Sequence, residues 1–251
     1  CSESFEGRTR AFVKIEDGCN RFCSYCLIPY ARGRVRSKSI EDIKDEAKLI
    51  AESGFACKVL PAFRPDKALG IDLPSFRGWV SDMEKTAGKE IGGFAQLCDV
   101  LLERIEFFAS MGCRASDHAF AYVPYEEATA EELEAIFVKV KNGGEATVVE
   151  ADKYKTALLA FLAAEYAKRD WTMQVHIGAL RNNNTRMFNK LGPDTGYDSV
   201  ADYEIAVSLS RLLDAMLCGA GLPKTVLFTL NPKDNYVLGT MLGNFQSDEA
   251  E

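Results

Sequence analysis

Apolar positions along the chain switch repeatedly between two periods. Residues 11–15, AFVKI, alternate as a half-buried strand does, and Ile40, Ile43, Ala47 and Ile50 then recur on one helical face. Ser39 with Asp42 makes an acidic variant of the capping box at the start of that helix, and Gly54 supplies its stop. A short apolar run from Cys57 to Phe63 predicts a buried strand, broken by the proline- and charge-bearing FRPDKALGIDLP. Phe94, Leu97, Leu101, Leu102, Ile105 and Phe108 mark a helix closed by Gly112, and the run from Cys113 to Asp117 predicts a strand leading to His118. Thr129 with Glu132 caps a further helix, and Tyr154 to Ala167 form an alanine-rich one. Trp171 to His176 is again strand-like, Ile205 to Leu217 helical and Thr225 to Leu230 strand-like, after which Asn231-Pro232 opens the last helix.

Strands alternating with helices predict an α/β fold with a parallel sheet. Five candidate strands are present, whereas a closed βα barrel of the TIM type has eight. The expectation is therefore a partial βα barrel, incomplete at both ends. Within it, WTMQVHIGALRNNNTR (171–186) has the form of a buried strand ending in a polar crown, and the C-terminal ends of strands are where βα architectures build sites.

Composition narrows the class. With 251 residues, 47% of them apolar and 27% charged, the chain can bury a sizeable core. No run approaches the roughly 20 apolar residues of a membrane span and no leader pattern is present, so a cytoplasmic protein is expected. The eight cysteines are not spread as a disulfide framework. The charge of −7 is uneven. Between Arg8 and Lys38 eight basic residues face only Glu16 and Asp17, a balance of +6 that leaves −13 on the remainder. A basic window suits a phosphate backbone or an anionic cofactor, and equally a solvated loop.

Cys19, Cys23 and Cys26 form C-x3-C-x2-C after the first strand. Three thiolates on one loop suit three irons of a four-iron cluster. A zinc site would want a fourth ligand, and a disulfide would leave one cysteine odd. RTRAFVKIEDGCNRFCSYCLIPYARGRVRS resembles the radical domain of the tRNA methylthiotransferases, over about residues 5–55. That resemblance implies a 4Fe–4S cluster on Cys19, Cys23 and Cys26, S-adenosylmethionine on its open iron, Tyr25 near the adenine, and tRNA as a partner of the basic tail at Arg32, Arg34 and Arg36.

From residue 56 onward the chain has another character. KVLPAFRPDKAL, GCRASDHAFAYVPY, the stretch from Tyr154 through Ser199 and LPKTVLFTLNPKDNYVLGTMLGNFQ resemble the uronate (glucuronate) isomerases of the amidohydrolase superfamily. The resemblance implies a distorted βα barrel, a hexuronate substrate and aldose–ketose isomerisation, for example of glucuronate to fructuronate. Moving a proton between C1 and C2 needs a base, a polarised carbonyl and a grip on the carboxylate. Arg114, Arg181 and Arg186 are candidates for the grip, together with Arg64 and Asp66. His118 and His176 are candidates for ligation or proton transfer, although an isolated histidine is more often a core or rim residue, and His118 suits that reading better than His176 does. Asn182 to Asn184 either orient hydroxyls or end the strand and cap the next segment.

The resemblance also implies a divalent metal such as zinc, held by a His-x-His pair and a late aspartate. This chain has two histidines and no His-x-His. The expectation is a two-part chimera, a methylthiotransferase-like unit over 1–55 and an isomerase-like partial barrel over 56–251, defective in isomerisation. The alternatives are a radical S-adenosylmethionine methylthiotransferase and a non-functional fusion product.

Overall fold

Alternation becomes geometry in a computed structural model that describes residues 16–17, 31, 34–52, 60–193, 195–219 and 221–246. The chain divides into two units, residues 1–59 with 181–199, and residues 60–180 with 200–251.

In the first unit, β1 (Glu16–Asp17) pairs antiparallel with β2 (Arg36–Ser37), Glu16 opposite Ser37. Helix α1 (Ile40–Glu52) starts where Ser39 predicts it, the Ser39 hydroxyl accepting the Asp42 N–H at 3.0 Å. Lys38 reaches across the first turns to pair with Glu46. The predicted strand at 11–15 and the cysteine loop lie outside the described residues.

The second unit holds a four-stranded parallel sheet in the order β3-β4-β5-β8, with β3 at Ala62–Phe63, β4 at Ala115–Phe120, β5 at Thr172–Ile177 and β8 at Thr225–Thr229. Each connection carries helices. Between β3 and β4 run α2 (Asp66–Leu69), α3 (Phe76–Ala87) and α4 (Phe94–Ser110), and between β4 and β5 run α5 (Ala130–Lys141) and α6 (Val148–Ala167). In the chain, short strands β6 (Ala179–Leu180) and β7 (Ser199–Val200) come before and after α7 (Thr185–Leu191), a helix of the first unit. Helices α8 (Ala206–Cys218) and α9 (Asn235–Leu242) bracket β8. This is the predicted α/β alternation with parallel strands. Among the described residues no helix is long and apolar enough to cross a membrane.

Period-two alternation sorts the strands into faces. Ser116, His118 and Phe120 of β4 and Met173, Val175 and Ile177 of β5 are buried on the helical side, with Leu158, Leu162 and Tyr166 of α6 and Leu209 and Leu212 of α8 in the same core. The opposite side carries Asp117, Gln174, His176, Val226 and Phe228, and His176, Val226 and Phe228 are exposed. A parallel sheet normally has both faces covered. Here, among the described residues of this unit, the uncovered face carries the polar groups Asp117, Gln174 and His176.

Differences from the sequence reading have local causes. Helix α2 falls inside FRPDKALGIDLP, where the sequence suggests only a break, and α3 starts just after its last proline, Pro74, where nothing bars helical backbone. Helix α6 begins at Val148, six residues before the apolar periodicity starts at Tyr154, since Thr147 and Glu150 form a complete reciprocal capping box. The Thr129–Glu132 box of α5 forms as expected. His118 lies inside β4 rather than after it.

One helix is capped from a distance. The Glu134 carboxylate on α5 accepts the N–H groups of Phe94 at 2.9 Å and Ala95 at 2.8 Å, satisfying two orphan donors at the start of α4. Gly93 is what lets it approach, since a β-carbon there would sit 2.1 Å from Glu134 Oε2. Gly93→Ala and Glu134→Ala are therefore expected to destabilise by similar amounts, about 1–2 kcal/mol each. The double variant should cost little more than either alone, as read by urea unfolding. Full additivity would show that the glycine serves another purpose.

Candidate active site

The uncovered face gathers charge at one level. Arg64 follows β3 directly, Asp117 points from β4, and His176 from β5. Arg64 Nε donates to Asp66 Oδ2 at 2.9 Å and its Nη1 donates to Asp117 Oδ2 at 2.8 Å. His176 Nε2 lies 2.9 Å from the other Asp117 oxygen, and its ring stacks on Phe228 of β8 at 4.5 Å and 8°. Arg64 and His176 are half exposed at 50% and 47%, while the aspartates between them are more covered at 27% and 21%. A solute therefore meets a guanidinium and an imidazole first, each held from behind by a carboxylate. Burial pushes the Asp66 carboxyl above its usual range, with Arg64 opposing the shift and Asp117 adding to it.

The six-residue strand register explains the assembly. His176 is paired with Ala119 and Phe228, two residues beyond the level of Gln174, Asp117 and Val226, so His176 and Asp117 are diagonal neighbours on one face. His118 takes the other face because it is one residue on. It is wholly buried, between Phe120 at 6.3 Å and Tyr166 at 5.7 Å between ring centres. Burial, reinforced by the Arg64 cation, pushes its imidazole down to about 3, so it is neutral at ordinary pH.

Of the remaining candidates, Arg114 shares the unit of this cluster and is not brought to it. Arg114 precedes β4, where its carbonyl accepts the Thr172 N–H at 2.9 Å; in a parallel sheet that is the N-terminal edge, opposite to His176. Its guanidinium folds back onto the Cys113 carbonyl at 2.8 Å. Arg181 and Arg186 belong to the first unit, Arg181 donating to Asp198 at 3.1 Å and Arg186 lying exposed on α7. Two of the three asparagines there shape backbone. Asn182 takes a left-handed conformation (φ 56°) with its N–H on Asp198 at 2.8 Å, and the Asn184 side chain caps α7 through the Met187 N–H at 3.1 Å. Asp117 is the member that sequence reasoning missed. Its only signal was an aspartate at an alternate position of a strand whose other positions fit a core.

A divalent metal does not fit this arrangement. Among the described residues no three His, Cys, Asp or Glu groups converge as a ligand set. Arg64, bonded to both aspartates, places a fixed positive charge where a cation would have to sit. Cys19, Cys23, Cys26 and Tyr25 lie outside the described residues.

Comparison with known proteins agrees with the fold. The family profile for glucuronate isomerase matches residues 37–251, on both sides of the boundary expected at 55–56. The uronate isomerase of Caldanaerobacter subterraneus subsp. tengcongensis is 49% identical over 207 residues, 82% of this chain and 44% of its own length. That of Clostridium acetobutylicum is 48% identical over 211 residues, 84% of this chain and 45% of its own. A crystal structure of uronate isomerase from Thermotoga maritima superposes with a TM-score of 0.72 at 27% identity, over 82% of this chain and 45% of that one. Glucuronate isomerase from Caulobacter crescentus shares the fold, with a TM-score of 0.63 at 24% identity over 78% of this chain and 40% of that one. The chain thus spans less than half the length of the relatives it matches.

These matches correct the cofactor expectation. A 4Fe–4S cluster with S-adenosylmethionine rests on one loop alone. The matched family is one of isomerases, whose resemblance implies a divalent metal, and nothing in the matches supports a fused radical methylthiotransferase. The physical reason is that three thiolates at loop spacing are a ligand set for many soft-metal or structural roles, and an isomerisation that relocates a proton calls for no one-electron chemistry. In sequence and in sheet topology alike, the chain belongs to the glucuronate isomerase family.

Proposed function

We propose that this chain supplies the hexuronate-facing wall of a uronate isomerase, binding a sugar acid on the uncovered sheet face without turning it over by itself. The observation that carries the reading is Asp117, shared between Arg64 and His176 at 2.8 and 2.9 Å. Arg64 keeps part of its planar fork open to a carboxylate, and its two aspartate partners fix the direction of approach. His176 is the group on this face suited to carry a proton between C1 and C2 of a bound sugar, with Asp117 orienting its ring and Phe228 limiting its rotation. The sequence has no histidine besides His118 and His176, and the two face opposite sides of the sheet. No step through a metal is assigned.

Titration of the chain with glucuronate, followed by NMR or calorimetry, tests the reading. Binding is expected, with Arg64→Ala weakening it about tenfold or more, as loss of a charge-assisted pair should. Conversion to the ketose with added zinc or manganese is expected to stay at background. Glucuronate binding that ignores both Arg64→Ala and His176→Ala would overturn the site, and turnover above background would overturn the expected defect.

A further inference from the structure

Among the described residues, several buried polar atoms around the sheet have no hydrogen-bond partner: both ring nitrogens of His118, Trp171 Nε1, Asp66 Oδ1 and Asp117 Oδ1. Buried polar groups are nearly always satisfied, and so many together call for an explanation. Two of them complement each other. His118 Nδ1 and Asp66 Oδ1 are 3.7 Å apart, and closing the gap by about half an ångström makes a hydrogen bond. The other Asp66 oxygen already holds Arg64 Nε at 2.9 Å.

We propose that His118 is a positioning residue: from the helical side of the sheet it donates its Nδ1 hydrogen to Asp66, and through that carboxylate it fixes the Arg64 guanidinium on the substrate-facing side. A neutral imidazole is a donor at one nitrogen only, so the proposal specifies the tautomer, with the proton on Nδ1. The alternative is a ring that merely fills space between Phe120 and Tyr166. The functional half of the proposal rests on the sugar-acid reading of the site; the hydrogen bond itself does not.

Two substitutions separate the roles. His118→Asn keeps an N–H donor near the place of Nδ1 but packs poorly, whereas His118→Phe keeps an aromatic ring and removes the donor. A positioning role predicts that the Phe variant weakens glucuronate binding about tenfold and that the Asn variant stays within about threefold of the parent. A packing role predicts the reverse order, and equal losses would also overturn the proposal. The unsubstituted chain offers an independent measurement. With only two histidines, nitrogen-15 NMR resolves both rings, and His176→Asn assigns them. His118 is expected as the neutral Nδ1–H form between pH 5 and 8 on the ordinary imidazole scale. The Nε2–H form would overturn the proposal. If the parent chain fails to bind glucuronate, the functional reading falls alone, and the decision passes to the tautomer and to the Arg64 Nε–H signal, which should be exchange-protected in the Asn variant and lost in the Phe variant.

Discussion

Stability of the folded chain is expected to fall as the pH drops below about 6.5 and to keep falling toward about 3, because the His118 imidazole titrates at about 3 in place and at 6.5 when free. Above 6.5 the ring is neutral in both states and contributes no pH dependence. Between the two values the unfolded chain takes up a proton that the folded chain refuses, so unfolding is favoured by about 1.4 kcal/mol per pH unit. Across the whole window this amounts to about 4–5 kcal/mol, comparable with the entire stability of a small domain. His118 is fully buried, so solvent screening does not reduce the effect. Asp66 works against it. Its carboxyl is raised by burial, so between its free value and its raised one the folded state binds the extra proton and gains stability as the pH falls. Urea unfolding at pH 7, 6, 5 and 4 of the parent chain and of His118→Phe reads the difference directly. The two stabilities should converge on acidification as the parent loses ground. Parallel curves would mean that water reaches His118 or that Asp66 carries its charge.

The same histidine shows how much the sequence disclosed. Helices and strands are legible where apolar periodicity and capping boxes mark them, because both signals are local: Thr129 with Glu132 and Ser39 with Asp42 act within one turn. Faces are harder. The sequence favours a core or rim role for His118 over His176 but does not say which face either takes; they occupy opposite sides because their strands pair with His118 opposite Val175 and not opposite His176. Register is a property of two strands, and a single strand does not carry it. Arg114 is a plausible carboxylate ligand by type, but its position before β4 puts it at the N-terminal edge. Arg64 and Asp66 needed the parallel pairing of β3 with β4 to meet Asp117. The asparagine run has two readings in sequence, and the left-handed backbone at Asn182 with the cap at Asn184 shows a backbone role for both. The cysteine loop misleads for another reason: ligand spacing is a local signal, and it suggests a cofactor that the family matched over residues 37–251 does not call for.

Trp171→Ala is expected to cost about 3–5 kcal/mol, the largest loss from any single truncation discussed for this chain. Trp171 is 1% exposed, lies parallel to Tyr166 at 5.7 Å and 17°, and meets Phe63 at 6.3 Å. Phe63 in turn packs edge-on to Phe108 at 5.1 Å, so one indole joins α6, β3 and, at one remove, α4. Its backbone N–H also closes the end of α6 on the Tyr166 carbonyl at 3.0 Å, after a left-handed turn at Asp170 (φ 52°). Replacement by phenylalanine is a different experiment. The indole Nε1 is buried without a partner among the described residues, so Trp171→Phe removes some packing and also one unsatisfied donor, two effects of opposite sign. It is expected to cost less than half as much as the alanine variant in urea unfolding. Equal costs would show that the indole nitrogen is satisfied, most simply by a buried water, and would remove Trp171 from the unpartnered set that surrounds His118. Because Phe63 is the residue before Arg64, the alanine variant should also loosen the guanidinium. Glucuronate binding by the fraction that remains folded should then weaken in the alanine variant and hold in the phenylalanine variant, tying the core behind the sheet to the charges in front of it.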